Sequence, residues 1–288
     1  MGKSKYIPPV LVELYHRVKC NDRLYYYDSF KKWEDAVAAA AKYGAAYESN
    51  NIFDQVAKAT QEVRAGRALY EQDGVLFHKS KNIYELLASL YYVALHTEKL
   101  SICDIGGALG STYFRYRHIL PLSASTWNIV EQKHYVKYGK QNVPEIDFYD
   151  SPEECFEKKP DINTVLLLSV LPYLDEPYGM LDRIFRLSPK YIVIDETVFN
   201  RDNKEEEHIV LQHVPASIYE AVYPSHIFNK TRMITAFTRA GYRKVFEWKY
   251  PGGSIPIRTR FGFKETVDKG FLFEKTEEDT EPENKLQK

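Results

Sequence analysis

From the middle of the chain onward, short apolar runs alternate with amphipathic segments. Leu100–Asp104 (LSICD), Trp127–Glu131 (WNIVE), Ile146–Tyr149 (IDFY), Thr164–Leu168 (TVLLL) and Tyr191–Ile194 (YIVI) read as strands, and Pro177–Leu187 reads as a helix between the last two. Runs that are apolar throughout suit parallel strands covered on both faces. Their alternation with helical segments predicts a doubly wound α/β sheet with right-handed crossovers. The first third has a helical period instead. Trp33, Ala36, Val37, Ala40 and Ala41 fall on one face between Ser29, a candidate cap, and Gly44. Ile52, Val56, Ala59 and Val63 do so between Asn50-Asn51 and Gly66, and Ile83, Leu86, Leu87, Leu90, Tyr91 and Ala94 most fully. These helices can pack one side of the sheet or cap an active site. Past Phe199 the rhythm breaks. Phe199–Asn229 reads as a long insertion, and Asn229 caps a helix running to Gly241. Tyr242–Tyr250 alternates with Tyr242, Phe246, Trp248 and Tyr250 on one face, and a glycine- and proline-bearing loop leads to Gly270–Glu274. The last two strands form an antiparallel pair that closes the sheet. The expected organisation is a helical extension over 1–80, an α/β domain over 81–275 and a solvated tail over 276–288.

Composition narrows the function classes. The chain has 288 residues, 44% hydrophobic and 27% charged, with a net charge of −1. That is a globular profile without the basic field that holds nucleic acid. Cys20, Cys103 and Cys155 form no CxxC pair, so neither a disulfide framework nor a zinc site is expected. The longest apolar stretches reach about half the length of a membrane span. The start, MGKSKYIPPV, lacks a hydrophobic signal core, and Tyr6 stands where a myristoylation motif has Ser or Thr. A cytoplasmic protein without a membrane span is expected.

The chemistry concentrates in ICDIGGALGSTY, residues 102–113. A strand ends in Asp104, a glycine-rich turn follows, and Ser111-Thr112 can cap the next helix. Glycines let backbone approach a ligand, and a helix start offers unpaired N–H groups. Dinucleotides and S-adenosylmethionine both use such a turn. The dinucleotide pattern G-x-G-x-x-G fails, because its first glycine falls on Ile105. D-x-G-x-A-x-G stands instead, and a carboxylate there opposes a pyrophosphate but complements an ammonium and a sulfonium. Asp104 therefore favours S-adenosylmethionine, with Gly106, Gly107, Gly110 and Ser111 as further contacts; a turn or capping aspartate is the alternative. Glu131, about 20 residues on, is placed to accept ribose hydroxyls, a feature shared with NAD proteins. Asp150 can accept the adenine amino group or cap the helix at Ser151–Phe156. Ser169 can flank the methionine part or be a buried, satisfied hydroxyl.

ICDIGGALGSTYF resembles motif I of class I S-adenosylmethionine-dependent methyltransferases. With DSFKKWEDAVAAA, YEQDGVLF, WNIVEQ, FYDSPEE, LLSVLPYLDEPYGML, VPASIYEAVYPSHIF and KGFLFEK, the chain resembles a family assigned as methyltransferases and encoded in bacterial surface-polysaccharide (O-antigen, capsule) gene clusters. The resemblance covers about Asp28 to Lys275. It implies a Rossmann-like, seven-stranded methyltransferase sheet, mostly parallel with an antiparallel last strand, and a helical N-terminal extension. It also implies cofactor contacts at Asp104, Gly106, Gly110 and Glu131. Ala108 departs from the superfamily pattern, where glycine is common, and narrows the methionine pocket slightly.

Methyl transfer needs alignment of acceptor, methyl and sulfur, and a base if the acceptor is a hydroxyl. The insertion 199–229 supplies His208, His213 and His226, with Tyr219 and Tyr223 between, above Asp195 and Glu196. His226 is the first candidate base and Asp195 the second; a hydrogen-bonded structural histidine is the alternative for each. No metal site is expected, since no histidines and carboxylates stand at ligand spacing. The 23 tyrosines are compatible with stacking on a sugar, and Tyr25-Tyr26-Tyr27 and Tyr91-Tyr92 also with packing. The expected activity is O-methylation of a sugar or sugar nucleotide, a small-molecule or glycan acceptor. Two rivals stand: an NAD-dependent sugar-nucleotide oxidoreductase or epimerase, which lacks the first glycine and a Tyr-x-x-x-Lys pair, and a non-catalytic docking subunit that keeps the fold.

Overall fold

The computed structural model describes residues 23–43, 50–79, 84–120, 125–215, 221–251, 253–260 and 262–276. The first third holds β1 (Tyr25–Phe30), α1 (Trp33–Ala40), α2 (Asn50–Arg64), the short hairpin β2 (Tyr70–Gln72) and β3 (Val75–Phe77), and α3 (Tyr84–Leu95). Alternation then begins with β4 (Ser101–Ile105), α4 (Ser111–Tyr116), β5 (Thr126–Val130), α5 (Lys133–Asn142), β6 (Asp147–Tyr149), α6 (Pro152–Lys158), β7 (Thr164–Leu168), α7 (Pro177–Leu187) and β8 (Tyr191–Asn200). The remainder comprises β9 (His208–Val214), β10 (Ala221–Ile227), α8 (Lys230–Arg239), β11 (Tyr242–Lys249), β12 (Ile257–Thr259), β13 (Gly262–Lys264) and β14 (Thr266–Lys275).

Seven of these strands form one sheet in the order β11-β14-β8-β7-β4-β5-β6. β4 to β8 run parallel, and β14 is antiparallel to both β8 and β11. The expected Rossmann-like, seven-stranded, mostly parallel sheet with an antiparallel last strand is what the chain forms. Strand order reverses between β4 and β7, which places a crevice above the carboxyl ends of those strands.

The apolar runs are continuous because each strand feeds two cores. Ile102, Leu166, Val193 and Leu272 pack on Ile52, Val56, Leu86 and Leu90 of α2 and α3. Their neighbours Cys103, Leu167, Ile194 and Phe273 point the opposite way, onto Cys155, Leu181, Ile184 and Phe237 of α6, α7 and α8. No helix among the described residues is long and apolar enough to cross a membrane.

Several expectations change. Ser29 lies within β1, and α1 starts after Lys32 with no side-chain cap. Gly44, Ile83, Cys20, Tyr219 and the tail beyond Thr276 lie outside the described residues. On α3 the buried face is Leu86, Ser89, Leu90 and Val93, while Tyr91 is exposed and donates its hydroxyl to the Ile119 carbonyl at 2.5 Å. Within its described part, the extension expected to be helical also contains three strands.

The insertion 199–229 holds two strands in its described part. β9 and β10 pair antiparallel and join β1, β12 and β13 in a second sheet, order β10-β9-β1-β12-β13. Pro224 argues against a strand, yet β10 is an edge, where a missing N–H breaks no ladder. On β11 the pairing register with β14 shifts between Lys244 and Phe246. Tyr242 therefore joins the α8 side while Trp248 faces the other core, and the two do not share a face.

Gly270 pairs with Trp248 across the β14–β11 ladder, and a Cβ there would lie 2.0 Å from Trp248 Cε2. Gly270→Ala must displace a buried indole. It is expected to lower unfolding stability by about 1–3 kcal/mol, read as a reduced urea midpoint at unchanged slope.

Candidate active site

The turn after β4 is shaped by what glycine lacks. A Cβ on Gly107 would sit 2.7 Å from Asp104 Cγ and Oδ2, so only hydrogen lets the carboxyl lie beneath the loop. Gly106 and Gly110 have φ of 75° and 102°. Gly106 N–H donates to the Val130 carbonyl at 2.9 Å, tying the turn to β5. Gly110, not Ser111, occupies the cap position of α4. Ser111 is the first helical residue, and its hydroxyl donates to Glu71 Oε1 in the β2–β3 hairpin.

Above the carboxyl ends of β4, β7 and β8 lies a cavity of about 410 Å³. Asp104, Gly106, Gly107, Ser111, Glu131, Ser169 and Asp195 all line it, so seven of the ten candidate residues converge. Its roof comes from the second sheet, where Tyr173 Oη donates to Gln212 Oε1 at 2.9 Å and Gln212 Nε2 donates to Tyr223 Oη at 3.2 Å. The cavity is thus walled by a sheet as well as by helices, since Ile52 and Val56 of α2 and Leu86 of α3 also line it.

The lining is acidic. Asp104, 1% exposed, accepts from Trp127 Nε1 at 3.1 Å. Burial, with a smaller push from Glu131's charge, raises its carboxyl to about 7. Asp195 is equally buried, and its Oδ1 accepts from Trp248 Nε1 at 3.0 Å and from Glu196 N at 2.9 Å. Its Oδ2 has no partner, and burial, then the charge of Glu196, raises it to about 7. Burial also raises Glu131, against bonds from the Gln132 and Ala108 amides. Ser169, at φ 57°, donates its N–H to the Asp195 carbonyl at 3.0 Å.

Three candidates lie elsewhere. Gly110 faces the core, where a Cβ would meet Ile146 Cδ1 at 2.3 Å. Asp150 is exposed outside the cavity and does not cap α6; Ser151 does, accepting from Glu154 N at 3.1 Å. His226 is corrected as a base. Strand alternation turns it to the outer face of β10, where its ring stacks on Trp33 at 4.9 Å and on Phe228 at 5.7 Å. Burial there lowers its pKa, and it does not line the cavity. His208 and His213 are likewise absent from the lining, which leaves Asp195 as the candidate base.

Sequence reasoning missed Glu71, Asp268, Gln212 and Arg115. Glu71 was readable in part, because Asp73-Gly74 between short runs is a hairpin signal. Its carboxyl accepts from Gly74 N at 3.0 Å, and burial raises it to about 7. Asp268 reaches the cavity from β14, 8% exposed, with Oδ1 unpartnered and its carboxyl raised to about 7 by burial and then Glu196. Arg115 is the one cation in the lining among the described residues, and it stacks on Tyr70 at 4.4 Å.

Glu71, Asp104, Asp195 and Asp268 thus bind protons more tightly folded than unfolded, where carboxyls titrate near 4. Between those values the native state holds the extra protons, so stability falls as pH rises. The ligand-free protein is expected to melt about 5 °C higher at about pH 5 than at about pH 8. Scanning calorimetry across that range checks it; a profile rising with pH would contradict the raised values.

No protein-family model matches the chain, and no curated protein matches it by sequence. Solved structures similar to it include the N-terminal domain of EvdMO1 in the presence of S-adenosylhomocysteine and D-fucose, at 12% identity and TM-score 0.48, over 77% of this chain and 97% of that one. A S-adenosylmethionine-dependent methyltransferase from Methanosarcina mazei is similar at 11% identity and TM-score 0.45, over 68% and 100%. CalS10, an amino pentose methyltransferase from Micromonospora echinaspora, is similar at 13% identity and TM-score 0.43, over 67% and 91%.

Proposed function

We propose that this chain is a S-adenosylmethionine-dependent methyltransferase that O-methylates a sugar or sugar nucleotide in surface-polysaccharide biosynthesis. The observation that carries the cofactor is Asp104, a carboxyl buried directly beneath a glycine turn whose Gly107 has no room for a Cβ. An anion at that depth repels a pyrophosphate and complements a cation. Asp104 faces the cationic part of the cofactor, Gly106 and Gly107 let the backbone approach, Glu131 accepts the ribose hydroxyls, and Ser169 flanks the methionine. When bound, the cofactor supplies a methyl group already activated by its sulfonium.

What remains for the protein is alignment and a proton acceptor. Asp195 stands at the end of β8 in the same cavity, and a carboxyl near 7 is divided between its two forms at neutral pH, suited to taking a proton from an acceptor hydroxyl. The tyrosine-bearing roof screens that step from water and offers aromatic faces to a sugar ring. The acceptor class itself rests on the resemblance described above.

Isothermal titration with S-adenosylmethionine, S-adenosylhomocysteine and NAD in parallel tests the reading. Binding of the two sulfur compounds and not NAD is expected; NAD alone would move the chain to the oxidoreductases, and silence from all three to a docking role. Asp104→Ala is expected to abolish S-adenosylmethionine binding with an unchanged far-UV circular dichroism spectrum. Asp195→Asn is expected to lower turnover by about 100-fold or more while cofactor affinity stays within a few-fold. Equal losses in both quantities would remove Asp195 as the base.

A further inference from the structure

The cavity holds more acidic groups than the proposed cofactor can pair. Among the described residues seven acids line it, Glu71, Asp73, Asp104, Glu131, Asp195, Glu196 and Asp268, against the one cation of Arg115. S-adenosylmethionine brings an ammonium, a sulfonium and a carboxylate, a net charge of one. Glu71, Asp104 and Glu131 surround the glycine turn. Asp268 does not belong to that group. It stands on β14 opposite Val198, three strand widths from β4, roughly 14 Å across the sheet.

Asp268 also has no structural duty that explains its burial. Its Oδ1 has no hydrogen-bond partner among the described residues, and the charge of Lys249 offsets only part of what burial does to its carboxyl. Its amide N–H is used, donating to Ser254 Oγ at 3.0 Å, and its carbonyl accepts from Tyr250 N–H at 2.8 Å, so the backbone is anchored while Oδ1 is left over. Glu196 presses a like charge on it. Burying an unpaired carboxyl beside another acid is costly, and a ligand cation between them removes the cost. A bound metal is not the natural occupant: among the described residues no group of three or more His, Cys, Asp or Glu side chains is arranged to hold one. The surroundings suit an organic cation on a ring, with Tyr26, Tyr173 and Tyr223 on the walls and Gln212 beside them.

We infer that the acceptor is an amino sugar whose protonated amine is held by Asp268 and Glu196, while its methylated hydroxyl faces Asp195. This rests on the methyltransferase reading for the word acceptor, but the cation pole is a property of the cavity itself. The acidic pole selects an amine-bearing ring over its all-hydroxyl counterpart, because the neutral hydroxyl leaves Asp268 without a cation.

Thermal melts of the wild type and of Asp268→Asn with glucosamine, with glucose and with sodium chloride at matched ionic strength test this, each with and without S-adenosylhomocysteine. Glucosamine at several times its dissociation constant is expected to raise the wild-type midpoint by about 2–4 °C, with no comparable effect of glucose or salt. The shift is expected to vanish in Asp268→Asn. An equal response to glucose, no response to glucosamine, or a response that survives the substitution would overturn the inference. Should Asp268→Asn not fold, the contrast between glucosamine and glucose on the wild type decides alone. Failure of S-adenosylhomocysteine to bind counts against the methyltransferase reading, whereas the series without it reads the acidic pole independently.

Discussion

Two buried aspartates, each held by one indole N–H, organise the floor of the cavity. Trp127 donates to Asp104 on β4, beside the reversal of strand order, and Trp248 donates to Asp195 on β8, one strand beyond β7. A hydrogen bond to a charged acceptor contributes about 1.5–3 kcal/mol. Withdrawing a carboxylate from water costs several kcal/mol. One indole, even with the Glu196 amide at Asp195, therefore does not hold either acid in the ordinary carboxylate range, and both carboxyls rise to about 7. Much of the local sequence follows from keeping these acids in place. Gly107 leaves room for the first, and Gly270 leaves room for the indole that positions the second.

The two sheets divide the labour. The seven-stranded sheet presents acids and backbone from below, and the sheet built on β1, β9 and β10 covers them with tyrosine and glutamine side chains. α1 then covers the outside of that roof, where Ala36 and Ala40 pack on Ile209, Leu211 and Val222. His226 belongs to this outer layer. A histidine stacked on Trp33 strengthens the roof's attachment and takes no part in the cavity's chemistry.

What could be read from the sequence was local or periodic. Thr164–Leu168 and Pro177–Leu187 form to the residue, because a run apolar on both faces and a proline-started amphipathic segment each carry their own signal. The turn at 104–111 was legible for the same reason, since its acid and glycines are consecutive. The roof was not. β9 and β10 carry His, Gln and Pro among their apolar positions, and Pro224 is tolerated only because β10 lies at an edge, a fact of pairing that no single strand reveals. Asp268 escaped notice because an isolated acid in an alternating strand looks like a solvent-facing residue until the sheet order places it over the cavity. His226 was misplaced by the same gap, since which way a strand residue points depends on its partners, whereas Asp150 lies past the end of β6 and is exposed.

The roof joins the two ends of the described chain. β1 lies parallel to β12, and Arg258 reaches the Tyr25 hydroxyl across 233 residues of sequence. Contacts of that separation form late, after the intervening chain has already organised. During synthesis the parallel strands and their acids are assembled first, while β1 waits on the growing surface for a partner not yet made. β14, which carries Asp268, follows β12. The cavity is therefore covered by β9 and β10 before it is charged at its far side, and the enclosed, ligand-ready site comes into being only once β14 has zipped between β8 and β11, both already laid down.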